Sequence, residues 1–103
     1  GNGLDPQTTL GPLISEKAIQ KVQSLVDAAI ANGAKVIYQY PLSRTRLQGH
    51  FFAPIILGNL NVDSPILREE IFGPVVTVCT FRSEEELLQH INQSEYGLSA
   101  YLY

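Results

Sequence analysis

The sequence predicts an α/β fold, and three observations carry the prediction. Apolar residues recur at helical spacing between Ala18 and Ile30. A β-branched and aromatic run fills Val75 to Phe81. The stretch Ser83-Glu84-Glu85-Glu86 then opens a second helix. Strand and helix signals that alternate along one chain are the mark of this class.

The elements follow in order. Gly1 to Pro12 is a loop, punctuated by Gly1, Gly3, Pro6, Gly11 and Pro12. Ala18, Val22, Leu25, Val26, Ala29 and Ile30 then fall at three- and four-residue steps, which places them on one helix face. Ser15 is the expected N-cap, because its oxygen can accept a free first-turn N–H. Asn32-Gly33 ends the helix, with Gly33 suited to the left-handed position beyond the cap. Lys35 to Tyr40 reads as a strand through Val36, Ile37 and Tyr38. Pro41 to Gly49 is a polar connection carrying Arg44 and Arg46. Phe51 to Leu57 reads as a second strand, broken at Pro54. Proline cannot donate to a sheet ladder, so this strand is expected at an edge or with a bulge.

Gly58 to Ser64 is a turn region, and Pro65 to Glu70 one helical turn with proline at its first position. Gly73-Pro74 stops it. Both alternating faces of Val75 to Phe81 are apolar, which predicts a strand buried on two sides in a parallel sheet. Ser83 with Glu86 forms a capping box, and the acidic first turn suits the positive end of the helix dipole. Leu87, Leu88 and Ile91 are the expected buried stripe. Tyr96-Gly97 ends that helix and Leu98 to Tyr103 begins another strand, completing a right-handed βαβ unit.

Composition narrows the function. The chain has 103 residues, with seven Lys+Arg against ten Asp+Glu and a net charge of -3. That balance argues against a nucleic-acid partner, which asks for a basic patch. The hydrophobic fraction of 45% argues for a folded domain. No apolar run approaches the ~18 residues of a membrane span, and nothing reads as a signal peptide. A reducing cytoplasmic setting is the default. The chain holds no methionine, and it stops on Ser99-Ala100-Tyr101-Leu102-Tyr103, a sequence of strand character. Both ends therefore read as cuts. One partial domain of a larger protein is expected, and a processed protein with an abrupt terminus is the alternative.

Few residues offer chemistry. Cys79 is the single cysteine, which excludes an intrachain disulfide and an all-thiolate zinc site. Its place between Val78 and Thr80 predicts burial, a raised pKa and a structural role. His50 and His90 lack a third partner at metal-ligand spacing, so no metal is expected. The Glu84-Glu85-Glu86 run is accounted for by capping. The informative stretch is Arg68-Glu69-Glu70-Ile71-Phe72-Gly73-Pro74. A carboxylate on a rigid strand-entry loop can accept two hydrogen bonds from the vicinal diol of a nucleotide ribose. An aromatic two residues later can press against a flat ring. The competing reading is a solvated charged turn with Phe72 in the core.

At these residues the chain resembles the NAD(P)-dependent aldehyde dehydrogenases. Gly1 to Pro6 with Gly11-Pro12-Leu13-Ile14 is similar to the family's loop before a long helix, and Ala28 to Ala34 to that helix's exit. Gly49 to Pro54 resembles the next strand, and Asn92 with Tyr96 to Ala100 completes the order. Glu69 to Val75 is the most specific element. The resemblance implies the C-terminal portion of a catalytic domain, residues 1–103, in a three-layer α/β/α architecture. It implies that Glu70 binds the nicotinamide ribose hydroxyls and that Phe72 contacts the nicotinamide region. It implies a parent enzyme that oxidises an aldehyde to a carboxylic acid with NAD or NADP, through a thioester on a cysteine outside this chain. The family's general base would also lie outside it, so no catalytic residue is assigned here. The chain alone is then expected to be inactive and to hold no cofactor tightly. A small aldehyde, a homo-oligomer, and neither nucleic acid nor membrane are the implied partners. Two positions depart from the family: Ala18 stands where many members carry Gln, and Tyr40-Pro41 replaces a Gly-Gly pair. Lys21 lies near the first of these. A non-catalytic module that self-associates is the rival reading.

Overall fold

The computed structural model describes residues 1–42 and 48–103. The expected Arg44 and Arg46 connection lies outside the described residues. The elements are helix α1 (Glu16–Ala31), strands β1 (Lys35–Gln39) and β2 (Ile55–Gly58), a 3-10 turn (Pro65–Leu67), strand β3 (Val75–Thr77) and helix α2 (Glu84–Asn92). The α/β class holds.

Helix α1 begins and ends where its sequence says it should. The Ala18 N–H donates to Ser15 Oγ at 3.2 Å. Asn32 is the C-cap, and Gly33 follows at φ +97°, a conformation open chiefly to glycine. Of the predicted apolar face, Val22, Val26 and Ala29 are buried, whereas Ile30 is exposed.

The strands form one sheet in the order β1-β2-β3. β1 pairs antiparallel with β2, with a register shift between Val36 and Tyr38. β2 pairs parallel with β3, Ile55 opposite Val75 and Leu57 opposite Thr77. The edge position predicted from Pro54 is therefore overturned. Pro54 lies just before the ladder, so β2 is free to take the central place. The irregularity sits in β1 instead, where it bends the edge strand and discourages further pairing. The Pro54 carbonyl still accepts from the Tyr40 N–H at 2.8 Å.

Ile55 and Leu57 face inward and join Val22, Val26, Ala29, Ala34, Phe52 and Ile66 in a single core. Alternation sends Ile56 and its partner Val76 to the other face. That face is open: Val76 is 55% exposed and Ile37 60%. Ile37 lies across Gly58, where its Cδ1 stands 2.5 Å from the position a Cβ would take.

The C-terminal quarter departs from expectation. The predicted strand Val75 to Phe81 pairs only over Val75–Thr77, and Val78 and Phe81 are exposed. Leu88 and Ile91 are exposed rather than buried, and α2 holds no buried residue. Leu98 to Tyr103 has no strand structure and stands in solvent, so the βαβ unit stays unclosed. The reason is common to all three. Apolar stripes become buried only when a second layer meets them, and no described residue covers this side. The caps of α2 form regardless, because they are local. The Glu86 N–H donates to Ser83 Oγ at 3.3 Å, and Glu86 Oε2 accepts from the Arg82 N–H at 2.8 Å. Hydrogen bonds from its own backbone N–H and from Ser83 hold the Glu85 carboxyl below the usual range.

Candidate functional site

The segment from Ser64 to Val75 is built from two fixed ends. At the first, Pro65 opens the 3-10 turn, and the N–H groups of Arg68 and Glu69 both donate to the Pro65 carbonyl at 3.0 Å. Ile66 is buried in the core and anchors the turn. At the second, the Ile55 N–H donates to the Pro74 carbonyl at 3.0 Å, which ties the segment to the central strand. Between them the Gly73 N–H donates to the Ile71 carbonyl at 2.9 Å, and the Val75 N–H to the Gly73 carbonyl at 2.8 Å.

Ile71 packs against the core. Its neighbours Glu70 and Phe72 are both exposed, on a short turn-containing stretch held at both ends. Phe72 is 74% exposed, which overturns the reading that placed it in the core. A large aromatic ring therefore stands in solvent on an anchored segment. Close to it in sequence stands the Glu70 carboxylate, which accepts no hydrogen bond from the side chains and backbone of the described residues. The pair offers a flat apolar face and a two-pronged acceptor, which match an aromatic ring and a vicinal diol. The residues present are of the kind that the ring and ribose of a nucleotide would need.

A third residue joins them that sequence reasoning had only placed nearby. The Lys21 ammonium on α1 donates to the Glu70 carbonyl at 3.4 Å and pairs with Glu69 Oε2 at 3.6 Å. Its helix position does not by itself point to residues far along the chain. Ala18, by contrast, contributes only its backbone N–H to the Ser15 cap. The neighbouring pair Arg68–Asp63 at 2.7 Å is exposed on both sides and contributes little to stability.

Cys79 is exposed, against the expected burial, because the strand ends at Thr77 and leaves it in an irregular stretch. It lines a cavity of about 270 Å³ with Arg68, Phe81, Leu87 and His90. Partial burial nonetheless pushes its thiol pKa up, so the thiol is less ionised than a free one. His50 Nδ1 lies 3.5 Å from Glu16 Oε2, and the Leu13 N–H donates to the His50 carbonyl at 2.7 Å. The first contact ties the start of α1, and the second the N-terminal loop, to the approach of β2. Among the described residues, no three His, Cys, Asp or Glu side chains come together as a metal site.

Comparison with known proteins supplies the context for this geometry. The model of the aldehyde dehydrogenase family matches residues 1–103. The chain is 45% identical over 100 residues to the "Probable betaine aldehyde dehydrogenase" of Schizosaccharomyces pombe, covering 97% of this chain and 20% of the relative. It is 43% identical over 103 residues to the mitochondrial succinate-semialdehyde dehydrogenase of Mus musculus, covering 100% of this chain and 19% of the relative. Among solved structures, it superposes on betaine aldehyde dehydrogenase from Staphylococcus aureus in complex with NAD+. The TM-score is 0.84 at 42% identity, over 95% of this chain and 20% of that one. The chain thus spans about a fifth of the length of the relatives it matches. The match over its full length, the shared fold and the Glu69 to Val75 motif agree: the chain belongs to the aldehyde dehydrogenase family.

Proposed function

We propose that the parent protein of this chain oxidises an aldehyde to a carboxylic acid with NAD or NADP, and that this portion holds the nicotinamide end of the cofactor. The observation that carries the reading is the outward pair Glu70 and Phe72 on a doubly anchored segment. It occurs in a chain whose solved relative from Staphylococcus aureus is a complex with NAD+. Glu70 would accept hydrogen bonds from the two ribose hydroxyls, and Phe72 would limit where the nicotinamide ring can sit. The cofactor, when bound, supplies the hydride acceptor. The chain's own residues orient it, and the nucleophilic cysteine and the general base lie outside residues 1–103. Cys79 is no substitute, since its environment disfavours the thiolate that attack requires. Relatives of similar identity are named for betaine aldehyde, succinate semialdehyde and glutarate semialdehyde. We therefore assign the choice of aldehyde to segments elsewhere. A homo-oligomeric cytoplasmic enzyme, without nucleic-acid or membrane partners, completes the proposal.

The test is Glu70→Gln in the full-length protein. Charge-assisted hydrogen bonds contribute ~1.5–3 kcal/mol each, so the KM for the cofactor is expected to rise about tenfold or more. The melting temperature should barely move, because Glu70 is exposed. Unchanged cofactor affinity together with unchanged hydride transfer would remove Glu70 from the site. A companion expectation is that a polypeptide of residues 1–103 forms no NADH from any aldehyde, for want of nucleophile and base. Turnover that copurifies with that polypeptide would contradict it.

The second reading, a non-catalytic module that self-associates, is favoured by the open apolar sheet face around Ile37 and Val76. NADH formation by the full-length protein would reject it.

A further inference from the structure

Two consecutive residues of α1 touch the ends of the segment that carries Glu70 and Phe72. Lys21 reaches its start: the ammonium donates to the Glu70 carbonyl at 3.4 Å and lies 3.6 Å from Glu69 Oε2. Val22 meets its end at Gly73. A Cβ on Gly73 would lie 2.7 Å from Val22 Cγ2 and 3.3 Å from Val22 Cγ1. Val22 is 2% exposed and cannot swing away, so only glycine allows this approach. The two contacts bracket Glu70 to Phe72. Within the stretch the Gly73 N–H bond to the Ile71 carbonyl closes a tight turn at Phe72, and the two contacts with α1 fix how that turn sits on the rest of the molecule.

We infer that Lys21 and Gly73 are positioning residues, which clamp the Glu69–Gly73 backbone to α1 so that Glu70 and Phe72 meet the cofactor in one geometry. The inference rests on the proposed role of Glu70. Lys21 acts on the peptide plane between Glu70 and Ile71, since it binds that plane's carbonyl. Gly73 acts by size, letting the chain lie flat against Val22. Neither residue has to touch the cofactor. Each controls the angle at which the carboxylate and the ring leave the backbone, so a loosened segment spreads them over several geometries and weakens their hold on the cofactor.

The experiment uses the full-length enzyme with four variants: Lys21→Met, Lys21→Arg, Gly73→Ala, and Gly73→Ala combined with Val22→Ala. Each is read by steady-state kinetics in the cofactor and by backbone hydrogen exchange over residues 69–73. Lys21→Met is expected to raise the cofactor KM about fivefold, as suits one partly exposed charge contact. Its kcat should change little, and exchange over 69–73 should quicken. Lys21→Arg, which keeps the charge and the reach, should restore both readouts. Gly73→Ala should raise the cofactor KM and quicken exchange, and removing the Val22 γ-carbons should reverse part of that loss. The clamp is overturned if Glu70→Gln raises the cofactor KM while Lys21→Met moves neither readout. It is also overturned if Val22→Ala brings Gly73→Ala no recovery. If Lys21→Met quickens exchange while both it and Glu70→Gln leave the cofactor KM unchanged, the role of Glu70 falls, and the positioning role with it.

Discussion

Cys79 shows how a single position can keep its chemistry and lose its location. Its side chain opens onto the cavity beside His90 and Arg68, yet burial still raises its pKa. The folded chain therefore holds the thiol proton more tightly than the unfolded chain does. That contribution to stability is complete below the unfolded pKa and is lost as pH rises through the folded one. Alkylation of residues 1–103 by iodoacetamide should follow the thiolate. Its rate is expected to reach half its maximum at a higher pH than in the urea-unfolded chain. Coincident pH profiles would show that the fold does not shield the thiol. Glu70 and Phe72 present the converse case. Their types and spacing were legible in the sequence, but their outward placement was not. Phe72 could equally have joined the core, and the packing of Ile71 between them decided the matter.

At the level of elements, local and tertiary contributions separate cleanly in the two helices. Both are capped by serine, Ser15 for α1 and Ser83 for α2. Loss of such a cap costs about 1 kcal/mol. The consequences should differ. α1 has Val22, Val26 and Ala29 in the core, whereas α2 buries nothing. Short helices without tertiary support are marginal in water. Ser83→Ala is therefore expected to melt α2 locally, seen as faster amide exchange over residues 84–92 with the global unfolding midpoint unchanged. Ser15→Ala should lower the global midpoint, because α1 unfolds with the core. Equal shifts of the midpoint would mean that α2 is packed after all. The strands tell the same story. The proline rule was sound for the residue and misplaced for the strand: the ladder starts at Ile55, one residue after Pro54, so the missing donor never enters it.

For the molecule as a whole, surface area is the informative quantity. The accessible surface is 8380 Å², against about 5,800 Å² for a compact monomer of this mass. The Cα radius of gyration, 15.5 Å, likewise exceeds the ~13 Å usual for this length. Much of the excess is apolar: the sheet face at Ile37 and Val76, the α2 stripe at Leu88 and Ile91, and the stretch from Leu98 to Tyr103. A polypeptide of residues 1–103 is accordingly expected to self-associate, its sedimentation-derived mass rising with concentration over the micromolar range. A constant monomer mass would show that this surface is tolerated in water. What the sequence by itself determined is everything local: the α/β class, both helices with their caps, the Gly33 exit, the proline-led turn and the Glu69 to Val75 motif with its family. The structural features follow from backbone sterics and from hydrogen bonds between near neighbours, and the family from the resemblance of the motif. Only the tertiary structure decided which apolar stripes are covered, that β2 is central, that Cys79 and Phe72 face solvent, and that Lys21 and Val22 meet the segment bearing Glu70. Burial is a relation between distant parts of a chain, and an apolar pattern states that a partner is wanted without saying where it stands.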